Sequence, residues 1–560
     1  MMNKAVKITL GLMLVGSAVF AQSLAEARKA IDAEQYQKGK AIFKTLTSSQ
    51  ATNAENFFHL GNLYLTTSSL NMRPDYIDSA KASFDKGVAA NAAYALNFVG
   101  LGAVDLSMKC NPKANFDKAI GLTKKKDHTT DLYIGKAYIS APAPNIPQAL
   151  IHLEKAKLLN QKDAQIFLAL GDAYRTQMKS SEAFSAYRTA YELDKTLLRS
   201  KVELGKINKL SKAFPQSIAE YNTVIALDPN YGPAYRELAE TYFLWGNTSQ
   251  KEYAGRIKQA LQYYEKYMDL TDRSLDSRLR HADFLYLSKD FKALEAEANE
   301  MAKIDKVNPR VLRYLAYSAF ENGNYAASSQ ALKDFISKVE PKRLISQDYL
   351  YLGRAQMKDS TQMTQAMVNI NKAVAMDSTN AAVMGEIGSA LYKARKYSEA
   401  AKAYEISIKN PERALLDYYY LGSAYYFDYG AQKTANLNPP RDLLVKADSA
   451  FSYLAQRSPT TQAAWQFRGR INRLMDGEND ERGLAVPFFE RYVNLMTVEK
   501  PELAAANSRG LIEAYSYLGS VAARRDGNNV KAKEYFDKVL VLDPTNTPAQ
   551  QAIKAIAGSK

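Results

Sequence analysis

Cysteine is almost missing from this 560-residue chain: Cys110 is the single copy, so the chain cannot close an internal disulfide bond. The fold must therefore be held by packing alone. Hydrophobic residues make up 46% of the chain and tyrosine occurs 37 times, which suits that task, because a tyrosine ring fills a gap between helices while its hydroxyl reaches a polar edge. Cys110 itself is expected to be a buried small residue rather than a nucleophile.

Long apolar runs are missing as well. The run at the start, from Ile8 to about Val15, is too short to span a membrane stably, and no later stretch approaches about 18 uninterrupted apolar residues. Because lysines precede this run and Val19-Phe20-Ala21 follows it, residues 1–21 are predicted to be a secretory signal peptide. We therefore expect an exported protein of a Gram-negative bacterium, in the periplasm or at the outer-membrane periphery. A lipid anchor is not expected, since bacterial lipoproteins need a cysteine just after the cleavage site.

Catalytic and metal-binding motifs are also lacking. The chain has four histidines, and none lies within metal-ligand spacing of another. It contains neither a nucleophile elbow nor a phosphate-binding glycine loop. The carboxylates between Asp476 and Glu481 fit no standard calcium loop, so a solvated turn is the favoured interpretation and a calcium site the alternative. We expect no enzyme activity, no metal and no cofactor.

What the chain does have is a repeat with a period of 34 residues. Four features recur at this offset: Leu170-Gly171 with Leu204-Gly205, Ala183 with Ser217, Tyr187 with Tyr221, and Ala190 with Val224. This is the spacing of a helix-turn-helix repeat, whose two amphipathic helices cannot bury their apolar faces alone and must stack on neighbours. The period therefore predicts a solenoid with a long concave wall, and binding by that wall is the leading functional hypothesis.

Copies of this pattern run along nearly the whole chain. Further copies begin at Leu60-Gly61, Ile134-Gly135, Leu238-Ala239, Leu352-Gly353, Ile387-Gly388, Leu421-Gly422 and Trp465 with Gly469. Turns between copies carry proline, which cannot continue a helix, at Asp228-Pro229, Asn308-Pro309, Asn410-Pro411, Ser458-Pro459 and Asp543-Pro544. The order of small and aromatic residues resembles the tetratricopeptide repeat (TPR) family over about residues 23–545, with degenerate copies near residues 92–126 and 275–305.

The resemblance implies an all-α fold, a right-handed superhelical solenoid of about 12–14 stacked helix-turn-helix repeats. Residues after Pro544 place apolar side chains at helical spacing and are predicted to form a capping helix over the last repeat. Insertions within the repeats suggest where the array divides. We predict an N-terminal array over residues 22–245, a central array over residues 246–427, and a C-terminal array with the capping helix over residues 428–560.

The resemblance also implies where partners would bind. In that family, groove-facing positions lie on the first helix of each repeat, at fixed distances from the small residue of the Leu-Gly pair. Mapped onto this chain, they are rich in arginine and tyrosine, which suit carboxylate or sugar ligands. The predicted partner-binding residues are Arg310, Arg313, Tyr317, Arg354, Tyr392, Tyr419, Tyr426, Arg470 and Arg473. The alternative is that tyrosine is abundant everywhere and that these arginines only solvate a concave face.

The chain is basic, with a formal net charge of +15 that becomes +13 once the two lysines of the signal peptide are removed. Such a surface favours acidic partners. Nucleic acid is not expected, because the protein is predicted to be exported and its basic residues are mixed with acidic ones. The tightest cluster, Lys124-Lys125-Lys126, is followed by Asp127 and is predicted to be a solvated helix end.

Two functions from different classes remain open. The first is an exported, non-enzymatic scaffold that binds segments of envelope proteins in its groove, with association to a membrane complex as one form of it. The second is a glycan or small-solute binding protein at the outer membrane, because some glycan-capturing lipoproteins also combine a secretion signal with TPR helices. The missing cysteine anchor and the long regular array favour the scaffold. An enzyme is disfavoured, since no non-repeat stretch is long enough to house a catalytic module.

Overall fold

The computed structural model describes residues 23–71, 75–410, 414–476 and 482–558, which form helices joined by short turns, with no β-strand among them. The predicted signal peptide, residues 1–21, lies outside the described residues, as do Glu478, Asp480 and Glu481 of the acidic turn. The chain divides into two compact units, Met1–Asn324 (the first unit) and Tyr325–Lys560 (the second unit). The all-α helical-repeat solenoid predicted from the sequence is confirmed.

The described part of the first unit contains eight helical hairpins and one further helix. Its helices are α1 (Leu24–Asp32), α2 (Tyr36–Ser49), α3 (Ala54–Asn71), α4 (Asp75–Ala90), α5 (Ala95–Ser107), α6 (Lys113–Leu122), α7 (Thr129–Ser140), α8 (Ile146–Leu159), α9 (Ala164–Thr176), α10 (Ser180–Leu193), α11 (Leu198–Leu210), α12 (Phe214–Leu227), α13 (Gly232–Gly246), α14 (Gln250–Leu270), α15 (Leu275–Leu287), α16 (Phe291–Ile304) and α17 (Pro309–Glu321).

The described part of the second unit contains one helix, five hairpins and a last helix. These are α18 (Tyr325–Lys338), α19 (Ser346–Gln356), α20 (Met363–Met376), α21 (Ala382–Lys393), α22 (Tyr397–Ser407), α23 (Leu415–Thr434), α24 (Asp442–Arg457), α25 (Gln462–Asp476), α26 (Val486–Asn494), α27 (Ser508–Arg524), α28 (Asn529–Leu542) and α29 (Thr547–Gly558). The eight and five complete hairpins agree with the predicted range of repeats. The handedness of the superhelix stays a prediction.

A contact between glycine and an aromatic ring explains the 34-residue period. A Cβ atom added at Gly171 would lie 2.4 Å from the ring of Tyr187, and one at Gly205 would lie 2.4 Å from the ring of Tyr221. Both rings are fully buried between the two helices of their hairpin. The glycine therefore makes room for the ring, and a larger side chain there would overpack the hairpin. In the second unit, Gly388 receives Tyr404 in the same way.

The turn inside these hairpins has a fixed geometry. Met178 and Lys212, which are 34 residues apart, both adopt left-handed backbone with φ of 60° and 59°. The next backbone N–H then reaches back to the first helix: Lys179 N donates to Tyr174 O at 3.0 Å, and Ala213 N donates to Asn208 O at 2.9 Å. This left-handed ending satisfies carbonyl groups that the helix leaves open and directs the chain into the second helix.

The first helix of each hairpin lies on the inner side of the array. In the first unit, α7 contacts α9 and α11 contacts α13; in the second unit, α21 contacts α23 and α23 contacts α25. Second helices of neighbouring hairpins make no comparable contact in the described ranges. Elements on the inside of a curve lie closer together than those on the outside, so the first helices form the concave face of each unit.

The predicted capping helix is confirmed. Helix α29 buries Ala549 and packs Ala552, Ile553 and Ile556 against a cluster that contains Phe536 of the last hairpin. This helix packs on α28, the second helix of the last hairpin, and covers apolar surface there.

The predicted burial of Cys110 is wrong. Cys110 is exposed, because it lies in the turn between α5 and α6 directly after Lys109, whose φ of 59° ends α5.

The insertion near residue 246 lengthens a helix, since α14 runs for 21 residues. The division into two compact units falls between Asn324 and Tyr325. The array boundaries at residues 246 and 428 stay predictions.

Candidate functional site

All nine predicted partner-binding residues lie on first helices, if α17 is counted as one because it contacts the first helix α15, and the two units divide them unequally. Arg310, Arg313 and Tyr317 lie on α17 of the first unit. The second unit carries the other six: Arg354 on α19, Tyr392 on α21, Tyr419 and Tyr426 on α23, and Arg470 and Arg473 on α25. First helices form the concave faces, so these positions have the placement that the resemblance implied. Whether they bind a partner stays a prediction.

The predicted tyrosines of the second unit come together in one cluster of rings. Tyr426 lies 5.4 Å from Phe467 between ring centroids, and Tyr419 lies 6.0 Å from the same ring. Tyr392 lies 5.2 Å from Tyr420. We call the set the aromatic patch: Tyr392, Tyr397, Tyr419, Tyr420, Tyr426, Phe427 and Phe467.

The aromatic patch is partly open to solvent. Phe427 is 37% exposed, and the five tyrosines are each partly exposed, whereas Phe467 is buried beneath them. Burial raises the pKa of Tyr392 to about 12 and also raises the pKa of Tyr426, so both hydroxyls remain protonated donors at neutral pH. The patch therefore offers apolar ring faces with hydroxyl groups, the combination that concentrates binding energy at protein interfaces.

Arg470 lies beside the aromatic patch but is already paired. Its guanidinium donates to both carboxylate oxygens of Glu513 on α27, with Nη2 to Oε2 at 2.6 Å and Nε to Oε1 at 2.8 Å. The guanidinium carbon also lies 5.5 Å from the ring centroid of Phe467. Arg473, one turn further, is exposed and lies 5.5 Å from the ring of Tyr517. Arg354 is partly exposed on α19.

The three predicted residues of the first unit are used differently. Arg310 Nη2 donates to Asp283 Oδ1 at 2.7 Å and to Oδ2 at 2.8 Å, across neighbouring first helices. Tyr317 is only 4% exposed and packs 6.0 Å from Tyr286, so its ring is not open to a partner. Arg313 is partly exposed. Of these three residues, Arg310 therefore contributes to the contact between α15 and α17 through its pair with Asp283.

A run of charge pairs lines the concave face of the first unit between α9 and α13. Arg199 donates to both oxygens of Asp172 at 2.9 and 2.8 Å, Lys206 Nζ lies 2.9 Å from Glu203, and Lys209 Nζ lies 2.6 Å from Glu237. The repeat pattern did not predict a role for these residues. A signal was available, because Asp172 to Arg199 and Asp283 to Arg310 share a separation of 27 residues, one repeat less two helical turns.

The first unit also closes on itself. Glu34, in the turn between α1 and α2, accepts two hydrogen bonds of 2.6 Å from Arg236 on α13 and one of 2.9 Å from the Tyr267 hydroxyl on α14. Gln37 N donates to Asp272 Oδ2 at 2.8 Å, and Gln35 Nε2 donates to Leu270 O at 3.2 Å. We call this contact between the first and seventh hairpins the seam.

The seam has an apolar part as well. Ala33 is buried in a cluster with Tyr231 and Ala234 of α13, and the Tyr231 hydroxyl donates to Asp32 Oδ2 at 3.0 Å. Burial raises the pKa of Asp32, and the hydrogen bond from Tyr231 opposes that shift. Seven hairpins therefore complete one circuit of the first unit, and its concave face encloses an interior.

Lys136 on α7 faces that interior. It is enclosed by protein yet keeps part of its side chain in contact with solvent, as expected for a narrow wet space. Its Nζ donates to Gln165 Oε1 at 2.8 Å, and no carboxylate of the described residues lies within ion-pair distance. Burial, together with the nearby guanidinium of Arg199, lowers the pKa of Lys136 to about 8.

The described residues contain no group of three or more His, Cys, Asp and Glu side chains that could hold a metal ion. Among the same residues, no helix combines the length and the apolarity that crossing a membrane requires.

Comparison with known proteins gives limited matches. No protein-family model matches the chain. Superkiller complex protein 3 of mouse is 25% identical over 131 residues, which are 23% of this chain and 8% of the relative, and its human counterpart is 24% identical over the same shares. The chain thus spans 8% of the length of the curated relatives it matches.

Solved structures give partial matches as well. The C-terminal part of a TPR repeat-containing protein from Cytophaga hutchinsonii is 27% identical with a TM-score of 0.33, covering 49% of this chain and 99% of that one. Pseudomonas aeruginosa pilF is 19% identical with a TM-score of 0.33, covering 42% of this chain and 100% of that one. A tetratricopeptide repeat protein from Parabacteroides merdae is 16% identical with a TM-score of 0.30, covering 45% and 93%.

Proposed function

We propose that this chain is a TPR scaffold without enzyme activity that binds a segment of another protein on the aromatic patch of its second unit. The observation that carries the proposal is the convergence of Tyr392, Tyr419 and Tyr426, from two first helices, onto one partly exposed surface on a concave face. Solenoids use such concave surfaces to bind extended partners.

The chemistry of the patch indicates the kind of segment. Arg470 is already neutralised by Glu513, so the patch offers ring faces and hydroxyl groups rather than an open cation. The partner segment therefore contributes apolar or aromatic side chains, with hydrogen-bond acceptors at the rim. An acidic partner, as the net charge predicts, would have to find its contacts elsewhere on the surface.

The proposed location is the envelope of a Gram-negative bacterium, after export and removal of residues 1–21. Support for it is the order of lysines, apolar run and Val19-Phe20-Ala21 at the start of the sequence. N-terminal sequencing of the protein purified from its own cells tests this step. Gln22 as the first residue supports export, and an intact Met1 contradicts it.

The binding proposal is tested by capture from crosslinked native envelopes with the tagged protein, followed by mass spectrometry. The double variant Tyr426→Ser with Phe427→Ser changes two partly exposed rings of the patch. A matched control is Tyr535→Ser, a partly exposed tyrosine on α28 outside the patch. A stoichiometric protein that the control retains and the double variant loses supports the proposal.

Other results of the same capture would contradict it. Equal retention by all three proteins would place the partner away from the aromatic patch. Retained polysaccharide in place of a protein would shift the function to glycan binding. Melting temperatures of the three proteins must agree, so that a loss of capture is not a loss of folding.

A further inference from the structure

A cavity of about 290 Å³ lies at the seam of the first unit. One side is formed by the turn after α1 and by α2, including Glu34, Tyr36 and Lys40. The opposite side is formed by α13, α14 and the start of α15, including Tyr264 and Asp276. At ~30 Å³ for each liquid water, the cavity holds on the order of ten waters, the space of a small organic molecule.

This cavity exists because the array closes. Its two sides are joined by the pair of Glu34 with Arg236 and by the hydrogen bond from Gln37 N to Asp272, which connect residues 202 and 235 positions apart in the chain. Opening the seam would separate them. A molecule that contacts both sides therefore binds the closed form better than an open one, and it stabilises the closed form by that difference in affinity.

Some charges that line the cavity are already compensated. Arg236 pairs with Glu34, which also accepts the hydroxyl of Tyr267. Arg273 donates to Asp269 Oδ1 at 2.6 Å and to the carbonyl oxygen of Met268 at 3.0 Å. These groups hold the sides in place and leave little capacity for a ligand.

Lys40 on one side of the cavity and Asp276 on the other carry opposite charges, and neither forms an ion pair with a described residue. The Lys40 ammonium lies 4.8 Å from the ring centroid of Tyr76 and 5.0 Å from that of Tyr64, and no carboxylate within the described residues is in ion-pair distance. On the other side, Asp276 is exposed in the first turn of α15 and makes no ion pair with a described residue. Asp272 beside it uses Oδ2 for Gln37 N.

We propose that the seam cavity binds a small zwitterion of the size of an amino acid or a dipeptide. Its carboxylate contacts Lys40, its ammonium contacts Asp276 with Asp272, and its side chain lies among the rings of Tyr36 and Tyr264. Complementary charges placed on both sides select a ligand that carries both signs, because a ligand with one sign leaves the opposite side unsatisfied. The site is in the first unit, so the proposal does not depend on partner binding by the aromatic patch.

Calorimetric titration of the full-length chain with four probes tests this proposal. The probes are the dipeptides Ala-Ala and Tyr-Ala, which carry both charges, together with N-acetylated Ala-Ala and Ala-Ala amide, which each carry one. We expect at least one free dipeptide to bind about tenfold more tightly than either capped form. The proposal would be overturned if the free and capped forms bound with equal affinity. It would also be overturned if neither free dipeptide bound at millimolar concentration.

Variants assign the two contacts separately. Lys40→Gln should remove the preference for a free carboxylate, and Asp276→Asn should remove the preference for a free ammonium. Lys38→Gln and Glu265→Gln, exposed positions that do not line the cavity, serve as matched controls. If a Lys40→Gln protein with an unchanged melting temperature still distinguishes the free from the amidated dipeptide, the assignment is wrong.

Hydrogen exchange gives a readout that does not depend on heat. Saturation with the free dipeptide should slow exchange in the turn after α1 and at the end of α14, since the ligand joins these segments. The capped peptides should leave exchange there unchanged. Protection elsewhere in the first unit with none at these two segments would also overturn the proposal.

Discussion

The two units build the same hairpins and present different chemistry on their concave faces. In the first unit the face is a run of charge pairs, and the array closes at Glu34 and Arg236. In the second unit the face carries the aromatic patch around Phe467. The difference teaches that hairpins with the same packing of glycine against a ring can carry either charged or aromatic side chains on the concave face.

The packing set is the same in both units. Gly61 receives Phe84 in the first unit, and Gly422 receives Phe451 in the second. Both rings also reach beyond their own hairpin, since Phe84 lies against Gly100 of the next hairpin and Phe451 stacks 4.8 Å from Phe467 of the aromatic patch. The same glycine–ring contact therefore supports a charged concave face in one unit and an aromatic one in the other, as the nearest-neighbour character of repeat proteins allows.

The largest expected effect tests whether the packing set contributes equally in the two units. Phe84→Ala and Phe451→Ala each remove a fully buried ring, and each should lower the free energy of unfolding by about 3–5 kcal/mol. Because a repeat contacts mainly its neighbours, hydrogen exchange should rise most in the mutated hairpin and the ones beside it. Chemical denaturation followed by exchange mass spectrometry measures both.

Phe84→Leu and Phe451→Leu are the matched controls and should cost less, since most of the buried volume stays. A large loss at Phe84 with almost none at Phe451 would mean that the two units do not share one packing scheme.

The next effect concerns the seam of the first unit. Arg236→Met leaves the partly buried Glu34 carboxylate with only the Tyr267 hydroxyl, and we expect a loss of about 2–3 kcal/mol, below the range for a fully buried pair. Exchange should rise in the turn after α1 and at the end of α14. A double-mutant cycle with Glu34→Gln isolates the pair, and a coupling energy near zero would show that the seam is held by its apolar part.

A smaller effect on the free energy of unfolding depends on pH and comes from Lys136, a charge on the concave face of the first unit. The pKa of Lys136 in the folded chain, about 8, is below its ordinary value of 10.5, so between these pH values the unfolded state binds more protons. Folded stability of the wild type should therefore rise with pH across that window. Lys136→Gln removes the enclosed charge and should be more stable than the wild type by about 1–2 kcal/mol at pH 7 after allowance for its partial exposure.

That advantage should shrink as pH rises from about 8 and vanish above about 10.5, which unfolding curves at several pH values can show. Taking the difference between variant and wild type removes the titration of other groups. A constant difference at all pH values would mean that Lys136 is not held at a lowered pKa.

The smallest effect compares arginines that pair in the same way in both units. Arg310→Gln and Arg470→Gln each break a bidentate pair that is partly exposed, so each should cost less than about 1 kcal/mol and the cost should fall at high salt. Capture experiments distinguish their further roles. If Arg470→Gln loses the envelope partner while Arg310→Gln keeps it, Arg470 belongs to the interface as well as to the array.

The repeat pattern was enough to predict the hairpins, because Gly171 and Tyr187 are local and recur together. It also placed Tyr392, Tyr419 and Tyr426 on first helices, where the structure brings them into one cluster. The seam could not be predicted in this way. A period specifies what one hairpin contains, whereas closure depends on small rotations summed over seven hairpins.

Two other misses have simple causes. Cys110 was predicted to be buried from the usual behaviour of free cysteines, but the turn that Lys109 begins places it in solvent. The pairing of Arg310 and Arg470 with carboxylates on neighbouring first helices was not predicted either, and their role in binding a partner stays a prediction. Groove position alone does not show whether a charge is open to a partner.

The seam gives the first unit an order of assembly. Each hairpin joins residues that are close in the chain, and such contacts form fast. The contact of Gln37 with Asp272 spans 235 residues and must wait until the seventh hairpin exists. Refolding of the first unit should therefore proceed through an unclosed array, and its last step should be the docking of residues that a ribosome makes early onto residues that it makes more than 200 positions later.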